Sequence, residues 1–100
     1  MSRIHKFECD RAKARSNFVK HKLRFTEACR IFGRHVLTMP SSQNAPGKEP
    51  RNVSLGALSQ SVAAVVVWTK RDGHIRIISA RKASSAEKER YEAHIKKSTN

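Results

Sequence analysis

Residues 62–91, VAAVVVWTKRDGHIRIISARKASSAEKERY, hold the most apolar run of the chain, its sharpest turn and its densest arginines. Residues 62–69 are almost unbroken in apolar character and rich in valine, the pattern of a strand buried on both faces, and eight residues suit a strand better than a helix. This is the predicted central strand. Asp72-Gly73 follows, a pair that tolerates the positive φ angles of a two-residue type I′ turn, and β-branched character resumes over residues 74–79. Period 2 places Ile75 and Ile77 on one face of this second strand and Arg76 with Ile78 on the other. Ser84-Ser85-Ala86-Glu87 then has the Ser-x-x-Glu spacing in which each side chain satisfies a backbone N–H of the other residue, so a helix starts here.

Working outward, residues 4–9 alternate weakly and read as an edge strand. Asp10 is a predicted N-cap for a helix over 11–21 with Ala14, Phe18 and His21 inward and Lys13, Arg15 and Lys20 outward. Phe25, Ala28, Cys29 and Phe32 form the apolar stripe of a second helix ended by Gly33. Residues 36–39 and 51–55 read as short strands, the second with Arg51, Val53 and Leu55 on one face and Asn52 and Ser54 on the other. Between them residues 40–50 contain all three prolines and almost nothing apolar, a mobile loop within one domain. Residues 93–100 are too poor in apolar groups to dock and are expected to fray. The prediction for residues 1–100 is a single α+β domain: a twisted antiparallel sheet of four to five strands, two N-terminal helices and one C-terminal helix, with the helices on one face.

Twenty-one Lys and Arg stand against eight Asp and Glu, a formal charge of +13 spread from Arg3 to Lys97. That balance points to a polyanion, nucleic acid first and an acidic protein second. No run of 18 apolar residues exists and Met1 to Lys6 has no apolar segment behind its charges, so neither a membrane span nor a secretion signal is expected and the cytosol is the expected compartment. Cys9 and Cys29 lie far apart without a C-x-x-C partner and are expected to be half-buried thiols rather than metal ligands.

The carboxylates are too scattered to promise a magnesium site, and no G-x-S-x-G turn is present. Metal-free RNA cleavage remains. There the substrate's 2′-hydroxyl is the nucleophile, and the protein supplies a proton acceptor, a proton donor and fixed cations around the phosphorane-like transition state. Arg51, Arg76 and Arg81 suit the last role because guanidinium stays charged and meets phosphate oxygens in two-point contact. Arg76 is the leading choice, since a guanidinium beside apolar residues needs a carboxylate or phosphate. For the proton roles Glu87, Tyr91, His21, Lys13 and His74 remain open. Each has a structural reading beside the catalytic one: a capping box for Glu87, ring packing for Tyr91, a helix-dipole contact for His21 and simple solvation for His74.

Phe7-Glu8-Cys9-Asp10, Ala12-Lys13, Asn17, Lys20-His21, Phe25, Glu27-Ala28 and Phe32, followed by Arg51, Leu55-Gly56, the valine strand, IRIISARKA over 75–83, Glu87 and Tyr91-Glu92, resemble the BrnT toxins of bacterial type II toxin–antitoxin pairs, which share the RelE-like fold. The resemblance implies a metal-independent endoribonuclease without cofactor that acts in the bacterial cytoplasm, on or off the ribosome, and arrests growth by lowering translation. Its implied partner is a BrnA-like ribbon-helix-helix antitoxin, through which the complex binds operator DNA. It makes Arg51, Arg76, Arg81, Tyr91 and Glu87 active-site residues and Lys13, Lys20, His21 and Lys82 RNA contacts. Cys9 stands where the family usually has tryptophan, Lys22 where a glycine normally follows Lys-His, and residues 41–50 replace a usually acidic loop. These departures motivate the alternative of a weakened or inactive RNA-binding co-repressor.

Overall fold

Valine and isoleucine dominate two long strands, β4 (Ala63–Arg71) and β5 (His74–Lys82), joined at Asp72-Gly73. Both turn residues have positive φ, 53° and 80°, as a type I′ turn requires. The computed structural model describes residues 6–98. Among them β1 (Phe7–Cys9), β2 (Val36–Pro40) and β3 (Asn52–Ala57) complete one five-stranded sheet in the order β1-β5-β4-β3-β2. The predicted start of the first strand at Ile4 lies outside the described residues. The sheet is mixed rather than wholly antiparallel, because β1 pairs with β5 in parallel. β4 is central, as the valine run requires.

The helices do not share one face. Leu23, Phe25, Ala28 and Ile31 pack with Ala64, Val66, Ile75, Ile77 and Ala80, whereas Leu55, Ala63 and Val65 pack with Tyr91. Alternate residues of β4 thus bury against opposite layers: α1 (Arg11–His21) and α2 (Phe25–Ala28) on one side, α3 (Ser85–Ser98) on the other. A strand apolar on both faces requires two covers, and α3 is the second. Past Tyr91 the chain stays helical to Ser98, and Ile95 packs against the Leu55 cluster.

Asp10 caps α1 by accepting from the N–H groups of Ala12 (2.7 Å) and Lys13 (3.3 Å). Lys22 ends it in the left-handed region at φ 58°, so the β-carbon there costs on the order of 1 kcal/mol relative to glycine. The second helix is shorter than its sequence stripe. After one α-turn the chain tightens into a 3-10 helix (Cys29–Gly33), so the buried residues are Phe25, Ala28 and Ile31, three apart. Phe32 instead meets Phe7 and Trp68, with ring centroids at 5.6 and 5.7 Å. Of the two thiols expected to be half-buried, Cys29 is, its Sγ donating to the Thr26 carbonyl at 3.2 Å, whereas Cys9 is exposed.

Candidate active site

Arg81 reaches the α3 side of the sheet because of a β-bulge. In strict alternation it would share the face of Ile75 and Ile77 and point into the α1–α2 core. The register slips at Val67/Trp68: Val67 faces Ser79 and Trp68 faces Ile77, leaving Ile78 without an opposite residue. Beyond the bulge Ala80 is the core residue, and Ile78, Ser79 and Arg81 line a groove with Val65 and Val67.

The opposite wall of that groove is Ser41, Ser42, Gln43, Arg51 and Val53, and the space between is about 310 Å³. Gln43 and Arg51 also border a second hollow of about 190 Å³ with Asn44, Lys48 and Glu49. The loop read as mobile is tied to the sheet where it delivers Arg51. Asn44 accepts from the Arg51 N–H (2.9 Å) and donates to its carbonyl (3.1 Å), and the Ser41 N–H also donates to that carbonyl (2.9 Å). Buried Thr69 donates to the Pro50 carbonyl at 2.8 Å, and Glu49 pairs with Arg71 at 2.9 Å. The Arg51 backbone is therefore fixed, while its exposed guanidinium has no carboxylate partner among the described residues.

Arg81 is held differently. Its two terminal nitrogens donate to the two oxygens of Glu87, both at 2.8 Å, and Nη1 also donates to the Lys82 carbonyl at 3.3 Å. Glu87 closes the capping box read from the sequence: it accepts from the Ser84 N–H (2.8 Å), and its own N–H donates to Ser84 Oγ (3.2 Å). The Arg81 contact, with help from Ser84, lowers the Glu87 carboxyl to about 2 against the opposing effect of burial. The same contact raises the Arg81 pKa. Glu87 is accordingly a firm carboxylate and a weak base while it grips Arg81.

The remaining sequence candidates lie elsewhere. Arg76 is met by a carboxylate, as a half-buried guanidinium requires: Glu8, opposite it in the β1–β5 register, accepts at 3.1 Å. Arg76 and Arg81 are five residues apart, roughly 15 Å along a strand, and Arg76 does not border the groove. His74, expected to be solvated, also pairs with Glu8, at 3.1 Å. Tyr91 is buried, and its hydroxyl donates to the His35 carbonyl at 2.8 Å, so it packs against Val65 beside the groove rather than lining it. Lys82 is exposed at the end of β5. Lys13, Lys20 and His21 lie on α1, across the sheet from the groove.

Sequence reasoning missed the groove wall of Ser41, Ser42 and Gln43 and the clamp of Asn44; Asn44 and Arg51 lie seven positions apart with no periodic signal between them. It also missed the role of Asn17, the one buried residue of α1. Its amide donates to the carbonyls of Ala80 (2.7 Å) and Leu23 (3.1 Å) and accepts from the Ala80 N–H (3.0 Å). β1 pairs only as far as Ile77, and the Asn17 side chain takes the place of the next strand residue at Ala80, next to Arg81.

Residues 9–87 match the family described as the ribonuclease toxin BrnT of type II toxin-antitoxin systems. No curated sequence matches. Among solved structures, the crystal structure of the Brucella abortus ribonuclease toxin BrnT superposes with a TM-score of 0.66 at 21% identity, covering 82% of this chain and all of that one. At that identity the structural likeness speaks for the fold, and the family match extends over most of the sequence. The fold thus agrees with the sequence match, and the chain belongs to the BrnT family of type II toxin–antitoxin ribonuclease toxins.

Proposed function

We propose that this chain is a metal-independent endoribonuclease whose cleavage site is the groove between Arg51 and Arg81. The observation that carries the reading is Arg51, a cation fixed by its backbone yet unpaired at its tip, beside a second arginine on the opposite wall. A scissile phosphate in the groove takes contacts from both. Arg81 exchanges one Glu87 oxygen for a phosphate oxygen, and the carboxylate so released regains proton affinity and accepts the proton of the 2′-hydroxyl. The 2′-oxygen–phosphorus bond forms as the phosphorus–5′-oxygen bond breaks, and the 5′-oxygen takes a proton from solvent. The products are a 2′,3′-cyclic phosphate and a 5′-hydroxyl. Metal independence is supported by the donor chemistry. Glu8, Glu49 and Glu87 are each committed to an arginine, and no three His, Cys, Asp or Glu converge among the described residues.

In this reading Lys82, opposite Ala64 and so on the α1–α2 side of the sheet, meets RNA outside the groove, and Arg76 orders the β1 edge through Glu8. The toxin acts in the bacterial cytoplasm, lowers translation and is neutralised by a ribbon-helix-helix antitoxin whose complex binds operator DNA. Purified protein incubated with RNA in EDTA is expected to cut. Arg51→Ala or Arg81→Ala should each slow cleavage by about 10² to 10³, the range for losing one donor to a developing oxyanion. Undiminished cutting by the double variant overturns the site.

The pairing of Arg76 and Arg81 with internal carboxylates favours a second reading, a non-catalytic basic protein that binds RNA and serves as co-repressor. Induced expression without antitoxin separates the two. Normal growth with soluble, RNA-bound protein selects the second reading.

A further inference from the structure

α1 is attached to the sheet through the Asn17 amide rather than through a wide apolar stripe. At about 100° per residue, Asn17, Ala14, Phe18 and His21 face inward. Arg11 and Arg15 fall on one flank, Lys13 and Lys20 on the other, and Ala12, Ser16 and Val19 form the outer crest. Burial follows the same order: Asn17 is buried, Ala14, Phe18 and His21 are half-buried, and the flanks and crest are exposed, Val19 to 66%. No acidic residue occurs between Asp10 and Glu27, and no ion pair among the described residues engages the four flank cations. Lys22 and Arg24 extend the basic run, Arg24 lying over the Phe18 ring at 4.7 Å.

Two rows of unpaired cations on either side of a small, neutral ridge complement two phosphate strands on either side of a groove. The crest carries no amide or guanidinium to read base edges, so such a contact selects shape rather than sequence. It carries one sizeable apolar side chain, Val19, too little for a membrane surface. With Asn17 buried, Ala14, Phe18 and His21 half-buried and no reading side chain on its crest, the helix offers a low, neutral ridge that does not use the depth of roughly 8.5 Å or the base-edge code of a B-DNA major groove. The wide, shallow minor groove of A-form RNA asks for no such descent. We infer that the outer face of α1 docks on double-helical RNA across its minor groove, on the side of the sheet opposite the Arg51–Arg81 groove. The inference rests on the cleavage reading only in that one RNA would serve both faces, its duplex part on α1 and an unpaired part in the groove.

Fluorescence anisotropy with a blunt RNA duplex of about 16 base pairs, the DNA duplex of the same sequence and single-stranded RNA tests it, with far-UV circular dichroism reporting the fold of each variant. The RNA duplex should bind about tenfold or more tightly than the DNA duplex. Arg11→Gln/Arg15→Gln should weaken duplex binding about tenfold or more and flatten its salt dependence. Ser16→Glu, a carboxylate on the crest, should weaken it too. Arg51→Ala/Arg81→Ala should keep duplex binding while losing cleavage. A wild-type protein that cuts RNA but binds the DNA duplex equally well, or folded α1 variants that bind the RNA duplex undiminished, overturn this inference and leave the cleavage reading standing. If Arg51→Ala/Arg81→Ala still cuts while duplex binding follows the α1 flanks, the cleavage reading fails and the inference stands.

Discussion

Arg81 and Glu87 hold each other in a two-point contact that fixes the guanidinium at the groove wall and suppresses the basicity of its partner. Because the folded Glu87 carboxyl lies near 2, below its ordinary 4.5, the contact adds stability above pH 4.5, and that contribution is lost as pH falls through about 2. Glu8, held low by His74 and Arg76, adds in the same direction. Acid titration of unfolding should show stability falling between pH 4.5 and 2, and Glu87→Gln should flatten that fall; an unchanged acid limb in the variant refutes the linkage. Asn17 is a second residue whose chemistry decides its neighbourhood. Asn17→Asp keeps the shape but removes both donors, turning a buried carboxylate toward the Leu23 and Ala80 carbonyls. Denaturant unfolding should register a loss of about 2 to 4 kcal/mol. Because Ala80 precedes Arg81, cleavage should fall further than the folded fraction does.

The hairpin was legible from Val65, Asp72-Gly73 and Ile75 because each of its rules is local: a period, a turn pair and a capping spacing. The bulge at Ile78 was not. An extra residue leaves no trace in composition, and strict alternation assigns Arg81 to the wrong face. The same limit hid the place of α3: the capping box marks where the helix starts but not which side of β4 it covers, and the docking of Ile95 beyond Tyr91 was not expected. Arg51 was legible as a basic residue at a strand start; that it would stand unpaired across from Arg81 depended on the Asn44 clamp, a contact between residues with no shared period. The shortened second helix has a readable cause in retrospect. Gly56 lets the 3-10 helix lie directly on β3: a β-carbon there would meet Ile31 Cβ at 2.7 Å and Val36 Cγ1 at 3.3 Å. Both neighbours belong to ordered elements, so Gly56→Ala must push Ile31 outward at a cost of about 1 to 3 kcal/mol. Thermal unfolding of this variant checks the packing, and a melting point equal to wild type would mean that the 3-10 helix yields freely.

At the scale of the molecule, four ion pairs lie among the described residues while the chain carries 21 Lys and Arg against eight Asp and Glu. All four involve side chains at least 30% exposed, where a pair contributes about 0 to 1 kcal/mol. Against them stands the mutual repulsion of the remaining cations, spread over a body of 38 × 32 × 29 Å. At 0.01 M salt the Debye length is about 30 Å, so cations on opposite faces still repel; at 0.15 M it is about 8 Å, and only near neighbours do. Added salt weakens both effects, but it removes long-range repulsion among many cations and only short-range attraction within ion pairs. The melting temperature should therefore rise by several degrees from 0.01 to 0.15 M sodium chloride. A polyanion binding the native state should raise it further by mass action at constant salt. A melting temperature that falls over the same interval would show that the few pairs, led by Arg81–Glu87, outweigh the repulsion, and the basic surface would then cost the free protein little.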